Sequence, residues 1–321
     1  MQYIKALVDV IDKLCFFVIM ISTKNDVDWL KNQVECGSFK ALARALTLVE
    51  NEISPSVELL KKLKFDRSIP VVGITGPPGA GKSTLVNGIA EEFSKAGKKV
   101  AILAVDPTSP FNYGSLLGDR IRMSKHFNNP NIYIRSVATR GSLGGISAKT
   151  IEMVDVLRSS DFDLIMVETV GVGQSEIEIV GLADKTILVL VPEAGDEIQH
   201  IKSGLMEVAQ AFVVNKADRD GADAFANSLQ KMVKEQHQES PVIKTIADKN
   251  IGVPDVCNWI TTSKPSSNEK KDYLLAEQAY KLIQHKKMIG IDRQKLLKQI
   301  QIELRGESFN LYTFVEQWLQ E

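Results

Sequence analysis

The sequence predicts an α/β fold with a mostly parallel sheet flanked by helices, together with helical extensions at both ends of the chain. Apolar runs typical of buried strands alternate with helical patterns between residues 65 and 263. A glycine-rich motif joins one of these strands to a helix, and 321 residues suffice to bury a large core. We therefore expect a helical extension over 1–64, an α/β domain over 65–263 and a helical arm over 264–321.

The motif at 76–84 predicts the ligand of the α/β domain. It reads GPPGAGKST and fits the phosphate-binding P-loop pattern, between the apolar run 71–75 and a helical pattern that begins at Leu85. Glycines allow positive φ, so successive N–H groups can curl around phosphate oxygens. Lys82 would reach phosphate from the loop rather than pack in the core, and the Ser83 hydroxyl would hold Mg²⁺. The chain is thus predicted to be a P-loop NTPase, with nucleotide contacts from Gly79, Ala80, Gly81, Lys82, Ser83 and Thr84.

A second motif selects the base. The apolar run 211–214 ends in Asn215-Lys216-Ala217-Asp218, an N-K-x-D pattern. The Asp218 carboxylate can accept hydrogen bonds from guanine N1–H and from the 2-amino group, whereas adenine offers no donor there, so the pattern predicts GTP and GDP. Asn215 would tie this loop to the P-loop, and the Lys216 stem would lie along the base. The backbone amide of Ala247 could reach guanine O6.

Two further strand-like runs end in acids, at the edge where parallel sheets bind ligands. The run 100–105 leads into Asp106, and the run 164–167 leads into Glu168. A carboxylate in such a position can hold Mg²⁺ directly or through water. Glu168 also opens an acid-x-x-Gly element, in which the Gly171 N–H would sense the γ-phosphate. We expect Asp106 and Glu168 to serve both the metal and catalysis.

The residue after Gly171 departs from the small-GTPase pattern, in which a glutamine follows the glycine and orients the attacking water. This chain has Val172 at that position and Gln174 two residues further on. Because valine cannot position water, we predict slow intrinsic hydrolysis that a partner or a rearranged loop completes. The candidates for the missing group are Asp119, Arg120, Arg140 and Gln174.

Several longer motifs follow one another in a fixed order. They read VDPTSP at 105–110, LGDRIRM at 117–123, ATRG at 138–141, ETVGVGQSE at 168–176 and GDEIQ at 195–199. Together they resemble the methylmalonyl-CoA mutase-associated GTPases of the MeaB/ArgK type. The resemblance extends from Val34, through the stretch 41–50, to Ile260.

This resemblance implies a homodimeric G protein, a chaperone that guards the cofactor loading and reactivation of an adenosylcobalamin-dependent methylmalonyl-CoA or related acyl-CoA mutase. It also implies that the segment 192–204 is an additional switch facing that partner. By the same resemblance, the residues around GTP and Mg²⁺ would be Lys82, Ser83, Asp106, Asp119 and Glu168.

Composition excludes several other classes. The formal net charge is −1, which argues against an electrostatic nucleic-acid surface. The three cysteines, Cys15, Cys36 and Cys257, lie far apart and predict a reduced, cytoplasmic compartment, and the four histidines are dispersed. The apolar run 15–21 is too short to span a bilayer, so we expect no membrane attachment.

Helical patterns occupy both termini. Apolar residues at helical spacing over 27–34 and over 39–49 predict two amphipathic helices that pack on the α/β domain. Beyond residue 264 the pattern is helical at 273–283 and 296–304. A helical tail with an exposed apolar stripe needs a partner to cover it, so we predict a dimerisation arm.

Three other functions stay open at this stage. An ATP-dependent kinase or transport ATPase would also use a P-loop, but Asp218 favours guanine. A metal-inserting GTPase would call for histidines or cysteines at metal-binding spacing. A nucleotide-regulated scaffold would bind the mutase in one nucleotide state only, without accelerated turnover.

Overall fold

The structure, a computed structural model, describes residues 24–106, 124–126, 128–138, 148–169, 179–195, 206, 209–235, 240–263, 268–288, 290–305 and 309–318. The chain divides into two compact units between Leu275 and Ala276. The boundaries predicted at 64/65 and 263/264 stay predictions.

A parallel sheet forms the centre of the first unit. Its strands are β1 (Val71–Thr75), β2 (Val100–Asp106), β3 (Ile132–Ala138), β4 (Leu164–Glu168), β5 (Lys185–Leu190), β6 (Ala211–Val214) and β7 (Val242–Lys244). They lie in the order β3-β2-β4-β1-β5-β6-β7, and every neighbouring pair is parallel. This sheet confirms the predicted α/β fold and brings the carboxyl ends of the strands to one edge.

Helices cover both faces of the sheet. In the first unit they are α1 (Lys24–Glu35), α2 (Phe39–Glu50), α3 (Ser56–Lys62), α4 (Lys82–Lys95), α5 (Ala148–Arg158), α6 (Ala222–Glu235) and α7 (Val253–Thr262). Alternate residues of β1 point to opposite faces: Val71 joins the apolar cluster that includes the N-terminal helices, whereas Val72 and Ile74 join the cluster of α4 and α7. Both faces of β1 are therefore dry, which explains its uninterrupted apolar run.

The two predicted N-terminal helices are present as α1 and α2. Leu30 and Leu42 are fully buried in the same cluster as Val71, and Ser38 caps α2 by accepting a hydrogen bond from the Ala41 N–H at 3.4 Å. The Phe39 ring meets the Tyr133 ring of β3 edge-on at 5.3 Å. The short helix α3 was not predicted.

The second unit is helical in its described residues. The helix α8 (Asn268–Met288) begins in the first unit and continues into the second, which also holds α9 (Arg293–Glu303) and α10 (Leu311–Trp318). The helical pattern of this region is confirmed, although α10 was not predicted. In this unit Phe314 is buried, with its ring 5.9 Å from those of Phe309 and Trp318. Within the described part of the chain, no helix combines the length and apolarity that crossing a membrane requires.

Candidate nucleotide-binding site

The P-loop leaves the carboxyl end of β1 and enters α4 at Lys82. Gly76 has a φ of 140°, and a Cβ atom there would overlap the carbonyl oxygen of Val189 on the neighbouring strand β5. Gly81 caps α4 with a φ of 85°, and a Cβ atom there would overlap Asn215 Nδ2. Only glycine fits at these two positions, so the P-loop is shaped by its contacts with β5 and with residues 215–218, the predicted base-recognition loop.

Lys82 lies deeper than the sequence suggested. It is the first residue of α4 and only 7 % exposed, and its Nζ atom donates to the carbonyl oxygens of Gly76 at 2.7 Å and Pro77 at 3.0 Å. The expectation that Lys82 extends from the loop and is not packed is therefore wrong, because the residue is buried in the first turn of α4. The buried ammonium group closes the P-loop on itself, because two of its N–H groups are used on the loop's own carbonyls.

Two predicted magnesium ligands are in contact. Ser83, in the first turn of α4, donates from Oγ to Oε1 of Glu168 at 2.7 Å, and both side chains are buried. Glu168 ends β4, the strand beside β1, which explains why the acid and the P-loop meet. A buried hydroxyl and a buried carboxylate side by side form a hard-oxygen environment of the kind that Mg²⁺ prefers.

Of the other residues predicted around the γ-phosphate and the metal, the structure describes the backbone of Asp106. Asp106 is the last residue of β2, two positions beyond Ala104, which pairs with Glu168. The Asp106 side chain, and the whole of Asp119, Gly171 and Gln174, lie outside the described residues. In the part of the chain that the structure describes, no three His, Cys, Asp or Glu side chains form a group able to hold a metal.

Asn215, in the base-recognition loop, connects the P-loop to the segment 245–247 that follows β7. Its Nδ2 atom donates to Ala80 O at 2.8 Å, which confirms the predicted tie to the P-loop. Its Oδ1 atom accepts from Thr245 Oγ1 at 3.0 Å and from the Ala247 N–H at 3.1 Å. The Ala247 amide hydrogen is therefore already engaged, and donation to guanine O6 would have to share it.

Lys216 also spans the two loops. It has a φ of 56°, in the left-handed region, and its Nζ atom donates to Gly79 O at 2.7 Å. The bond lies across the exposed mouth of the P-loop, where Gly79 and Thr84 face solvent. The base-recognition loop thus holds the P-loop through Asn215 from the buried side and through Lys216 from the exposed side.

Asp218, the predicted base reader, follows on the same loop. Its Oδ2 atom accepts from Lys249 Nζ at 3.0 Å, and this hydrogen bond is the main reason why the pKa of Asp218 is lowered. The next residue, Arg219, pairs with Glu193 in the turn after β5, and the Arg219 hydrogen bond lowers the pKa of Glu193. Sequence reasoning missed Lys249 because no spacing rule links it to an aspartate 31 residues earlier.

Comparisons with known proteins decide the family. The family model described as "Methylmalonyl Co-A mutase-associated GTPase MeaB" matches residues 42–300. The chain belongs to this family. As a MeaB-family protein it is a P-loop GTPase that binds guanine nucleotides.

Individual relatives agree with this family. A Pyrococcus abyssi protein named as a GTPase is 46 % identical over 242 residues, which cover 73 % of this chain and 75 % of that protein. A Caenorhabditis elegans protein, "Methylmalonic aciduria type A homolog, mitochondrial", is 40 % identical over 211 residues, covering 61 % of this chain and 53 % of that one. The solved structure titled "LAO/AO transport system kinase" covers 93 % of this chain and 99 % of its own, with a TM-score of 0.62 and 23 % identity, a likeness of fold alone.

Proposed function

We propose that this MeaB-family GTPase is a chaperone for an adenosylcobalamin-dependent methylmalonyl-CoA mutase or a related acyl-CoA mutase. It would gate the loading of the cofactor into the mutase and would protect or reactivate that enzyme. The family description names association with that mutase, and one relative is named for methylmalonic aciduria. The structural observation that best supports a role driven by nucleotide binding is the buried contact between Ser83 and Glu168, beside Lys82. A P-loop hydroxyl and a strand-end acid lie together in this contact, which supports a site for a magnesium–nucleotide complex.

The metal would be Mg²⁺ bound with GTP. Ser83 and Glu168 would hold it, helped by Asp106 and Asp119, and it would neutralise charge that develops on the phosphates. Lys82 would exchange its contacts with the carbonyls of the P-loop for contacts with the β- and γ-phosphates. This exchange keeps a buried ammonium group hydrogen-bonded throughout, so it needs no unpaired buried charge.

Guanine would be read by Asp218, on the rim of the same site. The Asn215 bonds to Ala80 and Ala247 fix the distance between the phosphate end and the base end. We expect GTP and GDP to bind far more tightly than ATP, and Asp218→Asn to shift the preference toward xanthine nucleotides. Equal affinity of the wild type for ATP and GTP in calorimetry would favour the kinase or transport-ATPase alternative.

Hydrolysis would be slow until a partner binds, since Val172 replaces the water-orienting glutamine. The candidates for the missing group are Asp119, Arg120, Arg140 and Gln174, and the segment 195–199 could also move in when the partner binds. Glu193, the second residue of the turn Pro192–Gly195 that leads into this segment, pairs with Arg219 of the base-recognition loop. A partner that moves the segment would therefore pull on the loop that carries Asp218.

A homodimer would bury the apolar surface of the second unit. Its exposed apolar side chains include Tyr280, Ile283, Met288, Leu297, Ile302, Leu304, Leu311, Tyr312 and Val315. Exposed apolar residues in this number are typical of an interaction surface. The dimer arm and a cytoplasmic location are parts of the same proposal.

Single-turnover hydrolysis of GTP, with and without an adenosylcobalamin-dependent acyl-CoA mutase, tests this function. The mutase should raise the rate, and completion of a site in trans by a charged group can be worth ~10³–10⁵. Arg140→Ala and Gln199→Ala should lower the stimulated rate far more than the basal rate. Arg67→Ala, a change just before β1 at the opposite edge of the sheet, is the matched control and should leave both rates unchanged.

The outcomes separate the alternatives. Rapid turnover by the isolated protein that no mutase alters would contradict a partner-completed mechanism. Binding of the mutase in only one nucleotide state, without any acceleration, would favour a nucleotide-regulated scaffold.

A further inference from the structure

We propose that Lys249 is a positioning residue for guanine recognition, which holds the Asp218 carboxylate in the orientation that reads the base. This inference rests on the proposed role of Asp218 as the base reader. Lys249 Nζ donates to Asp218 Oδ2 at 3.0 Å, across a gap of 31 residues in sequence. The two side chains are 56 % and 42 % exposed, so the pair stands at the rim of the site rather than in the core.

The backbone that presents Lys249 is fastened on both sides. Lys249 ends the short 3₁₀ turn Ala247–Lys249, whose first N–H donates to Asn215. The next residue, Asn250, has a φ of 57° and donates from Nδ2 to Glu92 Oε1 on α4 at 2.8 Å. The ammonium group is therefore delivered from a turn that is tied to the base-recognition loop and to the P-loop helix.

The chemistry of the carboxylate allows the pair and guanine together. An ionised carboxylate has about four lone-pair sites on its two oxygens. Lys249 occupies one of them on Oδ2, which leaves acceptor sites for guanine N1–H and for the 2-amino group. An exposed aspartate without a partner samples several rotamers, so a carboxylate that is already oriented loses less freedom when the base binds.

The charges around the pair also favour the ionised form of Asp218. The Lys249 hydrogen bond is the largest cause of the lowered Asp218 pKa, with the backbone N–H of Asp218 and the charge of Arg219 adding to it. The pKa of Lys249 is raised, chiefly by Asp218 and to a smaller extent by Asp248. Removing Lys249 should raise the pKa of Asp218, so that guanine affinity begins to fall at a higher pH as the solution is acidified.

Binding of GDP and ADP to Lys249→Ala, followed by calorimetry, tests the proposal. We expect GDP to bind about two- to five-fold more weakly, the range for exposed ion pairs, and ADP to bind as it does to the wild type. Lys249→Arg should restore GDP affinity. Lys244 is about as exposed as Lys249 and lies 2.7 Å from Asp223, so Lys244→Ala removes another surface ion pair and gives the matched control with the same change in charge.

A double-mutant comparison and a pH series make the test specific. In an Asp218→Ala background, Lys249→Ala should have no further effect on GDP affinity, because its only proposed action is on that carboxylate. As the pH is lowered from 6 toward 3.8, the ordinary aspartate pKa, the loss of GDP affinity should begin at a higher pH in Lys249→Ala than in the wild type. A general loosening of the site would weaken ADP as well and would not move this pH dependence.

Three results would overturn the proposal. Unchanged or tighter GDP binding by Lys249→Ala would mean that the lysine is neutral or competes with the base. An equal loss in Lys244→Ala would mean that surface charge alone matters. If Asp218→Ala keeps the preference for GDP over ADP, Asp218 is not the base reader, and both that assignment and this inference are wrong. If Asp218→Ala loses the preference but Lys249→Ala binds GDP as the wild type does, only this inference is wrong.

Discussion

Replacing Asn215 with alanine would break the junction between the P-loop, the base-recognition loop and the segment 245–247. The change removes three buried hydrogen bonds, to Ala80 O, Thr245 Oγ1 and the Ala247 N–H. Each such bond contributes about 0.5–1.5 kcal/mol net, and each partner left buried without water adds to the loss, so we expect a destabilisation of about 2–4 kcal/mol in the absence of nucleotide. For a unit of this size that corresponds to a fall in Tm of roughly 5–15 °C.

Thermal unfolding without nucleotide, with Thr245→Val as the graded control, measures this effect. Thr245 is fully buried and supplies one of the three bonds, so its isosteric replacement should cost about one third as much. GDP affinity should fall in the same order, since the loops that hold base and phosphate lose their spacer. Equal Tm values for wild type and Asn215→Ala, or a larger loss in Thr245→Val, would refute this account of the junction.

Two further stability predictions concern the frame of the site. Gly76→Ala should lower the free energy of unfolding by at least about 2 kcal/mol and abolish nucleotide binding, because φ is 140° and the added carbon has no space. Gly97 has a φ of 75° and open space around it, so Gly97→Ala should lower the free energy of unfolding by only about 1–2 kcal/mol and should still bind nucleotide. Urea titration of both glycine variants measures the difference. Asp184→Ala should cost about 3–5 kcal/mol by leaving Arg158, 2.7 Å away and 6 % exposed, as an unpaired buried charge, whereas Asp161→Ala at an exposed pair should be nearly neutral. Similar urea midpoints for Asp184→Ala and Asp161→Ala would contradict the buried-pair argument.

The elements that sequence reasoning found are those whose signal is local. The P-loop, the strand before it, the helix after it and the two N-terminal helices each follow from a motif or an apolar period within about 15 residues. The helix α3 is only 7 residues long, too short for a clear period. The helix α10 does carry apolar residues at helical spacing, at Leu311, Phe314, Val315 and Trp318, and this signal could have found it.

The parts of the site that sequence missed depend on contacts between distant segments. The Ser83–Glu168 contact could be anticipated in part, because each residue lies near the carboxyl end of a predicted strand. The sequence of these two segments does not determine the sheet order that makes the strands neighbours. The Asp218–Lys249 pair has no sequence signal at all. The contacts of Lys82 with its own loop were missed because the motif predicts which ligand the lysine binds but not how the side chain packs within the protein.

The place of β1 in the sheet has a consequence for how the chain matures during synthesis. Its two neighbours are made long after it: Val71 pairs with Ile165 of β4, and Gly73 pairs with Thr186 of β5. A nascent chain that has reached residue 160 already contains the whole P-loop motif but lacks both strands that would flank β1. Non-local pairing of this kind is slow and leaves apolar edges open. The chain must therefore be made as far as Leu190, the end of β5, before β1 has a strand on each side, and until then its apolar residues lack their partners.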